Sequence, residues 1–292
     1  MSSEPRRAFT ANTISNEPNT PMSITISTSI IDVMKSSNMF RLAFLIGVVV
    51  VLRLEYLLAA VIVKRKAREW SANKVRIFTA RVISLTHATL SSVGCICSLS
   101  SDSHYVKEPY DYSTYSAQYI FLFSMGYFIY DMIDMYIHGE ALYSKEYYIH
   151  HSLVLTAFSI ILRTGKLFGF AMIGLLVEVQ TIFLHLRTMI RLTRYAKKKS
   201  RAYNALIYAN MVCLFVFRHL TTTYLLYVML YKDEKCPMPL RAFLVSGLLF
   251  LTYHNTHLTI SMVKTDGFFG YEMQSVDEDH ADPLGPVKVK KS

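Results

Sequence analysis

Seven apolar runs, near residues 39–63, 77–99, 117–137, 147–163, 167–190, 204–231 and 240–263, constrain what this chain can fold into. A bilayer core of roughly 30 Å takes about 20 helical residues, fewer where neighbouring helices shield the segment. All seven runs fit that length, so the expectation is an all-α, polytopic membrane protein with about seven transmembrane helices. Composition agrees: 52% of residues are hydrophobic, 18% are charged and the mean hydropathy is +0.28. Only RTGK, Arg163 to Lys166, joins the fourth run to the fifth, which predicts a tight antiparallel pair.

The net charge of +10 comes from 31 Lys and Arg against 21 Asp and Glu. In a soluble protein that excess suggests a nucleic-acid partner. Here the basic residues sit beside apolar runs, so none is expected. After run one come Lys64, Arg65, Lys66, Arg68, Lys74 and Arg76, and from the end of run five onward come Arg187, Arg191, Arg194, Lys197, Lys198, Lys199 and Arg201. The loops after runs two and six balance Lys107, Lys232 and Lys235 with acids. Cytosolic loops carry the excess of Lys and Arg. The amino terminus is therefore expected outside or in the lumen, and the carboxyl terminus in the cytosol.

The chain divides into four parts. Residues 1–36, rich in Ser and Thr and holding Pro5, Pro18 and Pro21, read as a disordered tail without the apolar core of a signal peptide. Residues 37–75 hold the first membrane helix and a basic loop, residues 76–263 the other six apolar runs, and residues 264–292 a cytosolic tail. Cys95, Cys97 and Cys213 lie within apolar runs and Cys236 in a loop, a distribution that implies neither a disulfide framework nor a zinc site.

Polar residues inside the runs carry the functional argument. Run two holds His87, run three Asp131 and Asp134, and run four opens with His150 and His151. Run five holds Glu178, His185 and Arg187, run six Arg218 and His219, and run seven His254 and His257. Ionisable residues within a bilayer are costly and mark working sites by default. Spacing places Tyr127, Asp131 and Asp134 on one face and Glu178, Thr181 and His185 on another. Such stripes predict a bundle with a polar interior cavity. An imidazole beside a carboxylate can act as a general base, or as a nucleophile that carries an acyl group. The alternative is structural, with hydrogen bonds worth about 0.6 to 2 kcal/mol tying helices together. Adjacent residues on a helix point about 100° apart, so His150 and His151 do not aim at one ion, and no metal or cofactor is expected.

Four stretches together, RVISLTHATLSSVG from Arg81, MGYFIYDMIDM from Met125, EYYIHHSLVL from Glu146 and LLVEVQTIFLHLRTMI from Leu175, resemble the TLC superfamily of TRAM, LAG1 and CLN8 proteins. The likeness is nearest to the calfacilitin-like TLC domain-containing proteins, the branch that influences membrane fluidity and phospholipid composition. It implies that residues 76–263 form a TLC domain, six helices around a cavity with one further helix on the amino-terminal side. Ceramide synthases share the His-His pair, which would make His150 and His151 acyl-transfer candidates, while the residues themselves offer Asp131, Asp134 and Glu178 as carboxylate partners. Their Trp and Asn stretch and their later His-Asp element have no counterpart here, where the only Trp is Trp70.

The resemblance implies a regulator of membrane phospholipid acyl composition and fluidity that limits polyunsaturated chains, notably in phosphatidylethanolamine. One alternative is an acyltransferase with acyl-CoA as a substrate, so whether the chain is an enzyme stays open. A second is a non-catalytic membrane scaffold. Membrane lipids are the expected partners, and no protein partner is legible. The branch implies a multi-pass protein of the plasma membrane, whereas the closing KVKKS resembles a retrieval signal for the endoplasmic reticulum.

Overall fold

The computed structural model describes residues 22–140, 144–193, 200–232 and 235–271, with side chains from residue 38 onward. Helices α1 (Met22–Lys66), α2 (Ala72–Ser101), α3 (His104–Lys107), α4 (Tyr115–Ile137) and α5 (Lys145–Thr164) follow in order. Then come α6 (Phe168–Leu175), α7 (Val177–Leu192), α8 (Arg201–Cys213), a π-helical stretch (Leu214–Leu220), α9 (Thr221–Tyr231) and α10 (Met238–Asp266). The described chain carries no β-strand. The protein is a helical polytopic membrane protein, as the apolar runs predict.

Two compact units divide at Leu42. In the first, helical backbone begins at Met22, ahead of the boundary expected at residue 37. No Pro or Gly occurs between Pro21 and Gly47 to stop a helix there. The rest of the expected amino-terminal tail lies outside the described residues, as does the carboxyl-terminal tail beyond Tyr271.

In the second unit the helix ends follow from local chemistry. The Ser71 and Thr114 hydroxyls cap α2 and α4 by accepting from the Lys74 and Ala117 amides, each at 3.2 Å. Gly165 at φ 70° and Gly267 at φ 73° close α5 and α10 in the left-handed conformation. An aromatic core of Phe121, Phe158 and Phe168, with ring centroids 4.8 and 5.2 Å apart, joins α4, α5 and α6.

The RTGK connection does not make the expected antiparallel pair. Helix α7 packs along α2, while α5 packs along α4 and α10. Both Gly165 and Leu167 have positive φ, and the Leu167 and Gly169 amides donate to Tyr110 and Pro109 carbonyls at 2.7 and 3.0 Å. These two left-handed residues turn the chain away from α5 and bind it to the loop after α2.

Five spans, Asn38–Lys66, Ala72–Ser101, Tyr115–Ile137, Phe168–Leu192 and Arg201–Tyr231, are long and apolar enough to cross a membrane. Helices α5 and α10, with 20 and 29 residues, have the length but carry inward-facing histidines in place of apolar residues. Ion pairs place the ends of both helices at opposite faces of the bundle. Asp111, after α2, accepts from Lys166 Nζ at 2.8 Å and from Lys235 Nζ at 2.6 Å. The loops following runs two, four and six therefore share one face. On the opposite face Arg76 Nη2 meets Glu140 Oε1 at 2.5 Å, and Arg187 and Arg191 from α7 meet Asp266 from α10. This alternation is what seven crossings require.

Candidate functional site

The polar side chains of α2, α4, α5, α7, the π-helical stretch and α10 converge inside the bundle. Two helix irregularities aim them. A break at Leu176 separates α6 from α7, just before Glu178. The π-helical stretch contains Arg218 and His219 and replaces regular α-helical geometry where Arg218 faces inward. Both irregular points lie beside the buried charges.

His151 Nδ1 on α5 lies 3.2 Å from Asp131 Oδ2 on α4, close enough for an ion pair though without hydrogen-bond alignment. The Phe128 ring covers the imidazole, with centroids 4.9 Å apart. His87 is fully buried, stacked at 3.9 Å on Tyr127, with its Nδ1 3.9 Å from Glu178 Oε2. Tyr127 in turn donates to Ser84 Oγ at 2.9 Å. Arg218 Nη2 donates to Thr181 Oγ1 at 2.9 Å and Nη1 reaches Asn255 Oδ1 at 3.4 Å. Asn255 passes the chain on to Thr222 at 3.2 Å.

The adjacent histidines diverge, as their helical spacing predicts. His151 faces Asp131, whereas His150 stacks against His254 with ring centroids 6.0 Å apart and an interplanar angle of 9°. Tyr147 closes on His254 edge-on at 4.9 Å. Several buried nitrogens have no hydrogen-bond partner among the described residues: both of His87, both of His254, Nδ1 of His150 and His185, and Nε of Arg218. Leaving one such group unsatisfied costs about 1–3 kcal/mol, so this concentration marks a place where structural stability is not maximised.

Of the sequence candidates, the fold brings His150, His151, Asp131 and Glu178 into this cluster. Asp134 is not part of it. Its carboxylate points to the other side of α4, toward Arg53 Nη1 at 3.9 Å and His138 Nδ1 at 3.4 Å. Glu55, two residues after Arg53, accepts from Thr86 Oγ1 at 2.6 Å, so the two charges of the first run serve different neighbours. Sequence reasoning overlooked Asn255, Thr222 and Ser84, uncharged residues whose inward direction only tertiary packing sets. Asp266 was misplaced by the boundary at residue 264. It is the fully buried acceptor of Arg187, at 2.7 Å from Nε and 2.5 Å from Nη2. No group of three His, Cys, Asp or Glu side chains among the described residues is placed to hold a metal ion.

The sequence model of the TLC domain matches residues 77–264, more than half of the chain. The chain belongs to the TLC domain family. It is 35% identical to TLC domain-containing protein 2 of Danio rerio over 49% of this chain and 57% of that protein. It is 29% identical to TLC domain-containing protein 1 of Gallus gallus over 68% of this chain and 77% of that one. The Homo sapiens TLC domain-containing protein 1 matches at 29% over 58% and 67% of the two chains. No solved structure matches. Within the matched TLC domain lie all the residues of the buried cluster, while α1 precedes it.

Proposed function

We propose that this chain is a lipid-handling membrane protein that limits polyunsaturated acyl chains in phospholipids, notably phosphatidylethanolamine, and so restrains membrane fluidity. The observation that carries the reading is the set of buried, unpartnered histidine nitrogens beside Asp131, Glu178 and Arg218. A bundle held together only by interhelical hydrogen bonds has no reason to keep such donors and acceptors unsatisfied in a bilayer. A lipid headgroup or an acyl carbonyl supplies the missing partners. The resemblance to the calfacilitin-like branch supports the choice of phospholipid composition and of the plasma membrane as the place of action, with the endoplasmic reticulum as the alternative. Lipidomics of cells lacking the protein, grown under a saturated-fat load, tests it. The expected result is a raised polyunsaturated phosphatidylethanolamine fraction, and an unchanged acyl profile refutes it.

One observation favours a second reading, an acyltransferase. His151 and Asp131 lie 3.2 Å apart, an imidazole beside a carboxylate of the kind that can serve as general base in acyl transfer. In that reading the imidazole takes the proton of an acceptor hydroxyl or amine as its lone pair attacks the thioester carbonyl of acyl-CoA. The C–S bond breaks and CoA thiol leaves with a proton. Purified protein given acyl-CoA and candidate acceptors should form product that His151→Ala abolishes, and product at an equal rate from that variant rejects the assignment.

A further inference from the structure

A cavity of about 240 Å³ lies away from the polar cluster, between α1, α2 and α4. Phe44, Leu90, Ser91, Tyr119, Ile120 and Phe123 line it. Its rim residues Leu90 and Tyr119 are 55% and 41% exposed, and the Phe44 ring meets Tyr119 edge-on at 5.0 Å. All three walls belong to spans long and apolar enough to cross a membrane. The medium at this opening is bilayer hydrocarbon, and an almost entirely apolar lining offers nothing to a headgroup.

The inner wall connects this groove to the histidines. Phe123 lines the groove on one side, and on the other its ring stacks against His87, with centroids 5.7 Å apart and 28° between planes. Ser91 stands one helical turn beyond His87 and is joined to Ser124 at 3.0 Å, so α2 and α4 are tied beside the same partition. His87 stacks on Tyr127 and faces Glu178. A continuous line of contact therefore runs from bilayer-facing groove through one aromatic ring to the unpartnered imidazole of a fully buried histidine.

We infer that this groove takes one acyl chain of a membrane phospholipid and that Phe123 is the partition between it and the buried cluster. The inference rests on the reading that the cluster handles lipid. The chain enters sideways from the bilayer, on the face of the Asp111 loop, and rotation of Phe123 brings it against His87. Leu90 and Ile120 set the width of the entrance, so they select for chain shape.

Full-length protein in phosphatidylcholine vesicles doped with phosphatidylethanolamine bearing a photoactivatable diazirine at the chain end tests this. After irradiation, adducts are mapped by mass spectrometry. Annular lipid does not reach His87 or Tyr127, which are 0% and 6% exposed. Adducts on the segment around these residues are expected in the wild type, to be lost in Ile120→Trp and increased in Phe123→Ala. Adducts on Tyr224 and Tyr227, exposed on α9, serve as the control and stay constant. Leu90→Trp repeats the block should Ile120→Trp melt early. Inner adducts that are absent from the wild type, or equal in both narrowed variants, overturn the inference. Inner labelling with a normal cellular lipidome leaves the groove standing and removes the proposed function. An altered lipidome without inner labelling does the reverse.

Discussion

His151 on α5 holds its Nδ1 3.2 Å from Asp131 Oδ2 on α4, beneath the Phe128 ring. The neighbouring His150, on the same helix turn, faces His254 instead. One histidine of the pair thus has a carboxylate and the other an aromatic stack, so the two rings have different surroundings.

If His151 and Asp131 act as one unit, their substitutions should not add. His151→Asn and Asp131→Asn are each expected to abolish the effect of the protein on phospholipid composition, and the double variant should do no worse than either. Cellular lipidomics at matched membrane levels checks this. Two partial losses that sum would show independent roles.

The buried Arg187–Asp266 pair predicts that stability lost in either single variant is largely regained in the double. Asp266→Asn leaves a buried guanidinium with an uncharged partner, while Arg187→Met leaves a buried carboxylate, with Arg191 Nη1 3.2 Å away as its remaining cation. Breaking a buried pair from one side costs about 3–5 kcal/mol. Thermal melting in detergent should therefore show both single variants well below wild type. The double variant should recover much of the loss.

Asp111 bridges two loops, and its acidity follows from its partners. Lys166 first and Lys235 second hold the carboxyl below the usual carboxylate range. A depressed folded-state value means the contribution is complete above the unfolded value of about 3.9 and disappears as pH falls through the folded one. Asp111 also raises Lys235, so at the alkaline end the pair is present below the unfolded lysine value and is lost as the lysine deprotonates. Wild type should melt above Asp111→Asn from pH 7 to 5, and the gap should close on acidification. A gap independent of pH contradicts the bridge.

Two glycines mark close approaches with different tolerance. A Cβ on Gly169 would stand 2.1 Å from the Tyr105 carbonyl oxygen and 2.5 Å from Pro109 Cα, both backbone atoms. On Gly126 it would stand 2.6 Å from a Val48 side-chain methyl. Overpacking of this kind costs about 1–3 kcal/mol, more where backbone must move. Gly169→Ala should lower the melting temperature more than Gly126→Ala. Val48→Ala should rescue only the second.

The rods were legible because each is an apolar run, several of them ended by a capping serine, threonine or glycine such as Ser71, Thr114 and Gly165, and the inward stripes of Asp131 and Glu178 followed from helical spacing. The divergence of His150 and His151 was legible too, since a helix turns about 100° per residue. Asp134 was not separable from Asp131, because a three-residue spacing puts both near one face while α1 and α5 approach α4 from different sides. The RTGK pairing failed at Leu167, a non-glycine residue with φ 67° that no local pattern announces. Asp266 looked like the start of a polar tail because its partner Arg187 is 79 residues away.

The central claim is that the buried cluster acts on lipid and is more than helix packing. Cells lacking the protein and re-supplied with wild type or His151→Asn at matched membrane levels, with equal melting temperatures confirmed, test it most directly. The polyunsaturated phosphatidylethanolamine fraction should return to normal with wild type and stay raised with His151→Asn. Full restoration by His151→Asn would contradict the claim and leave the histidine a packing residue.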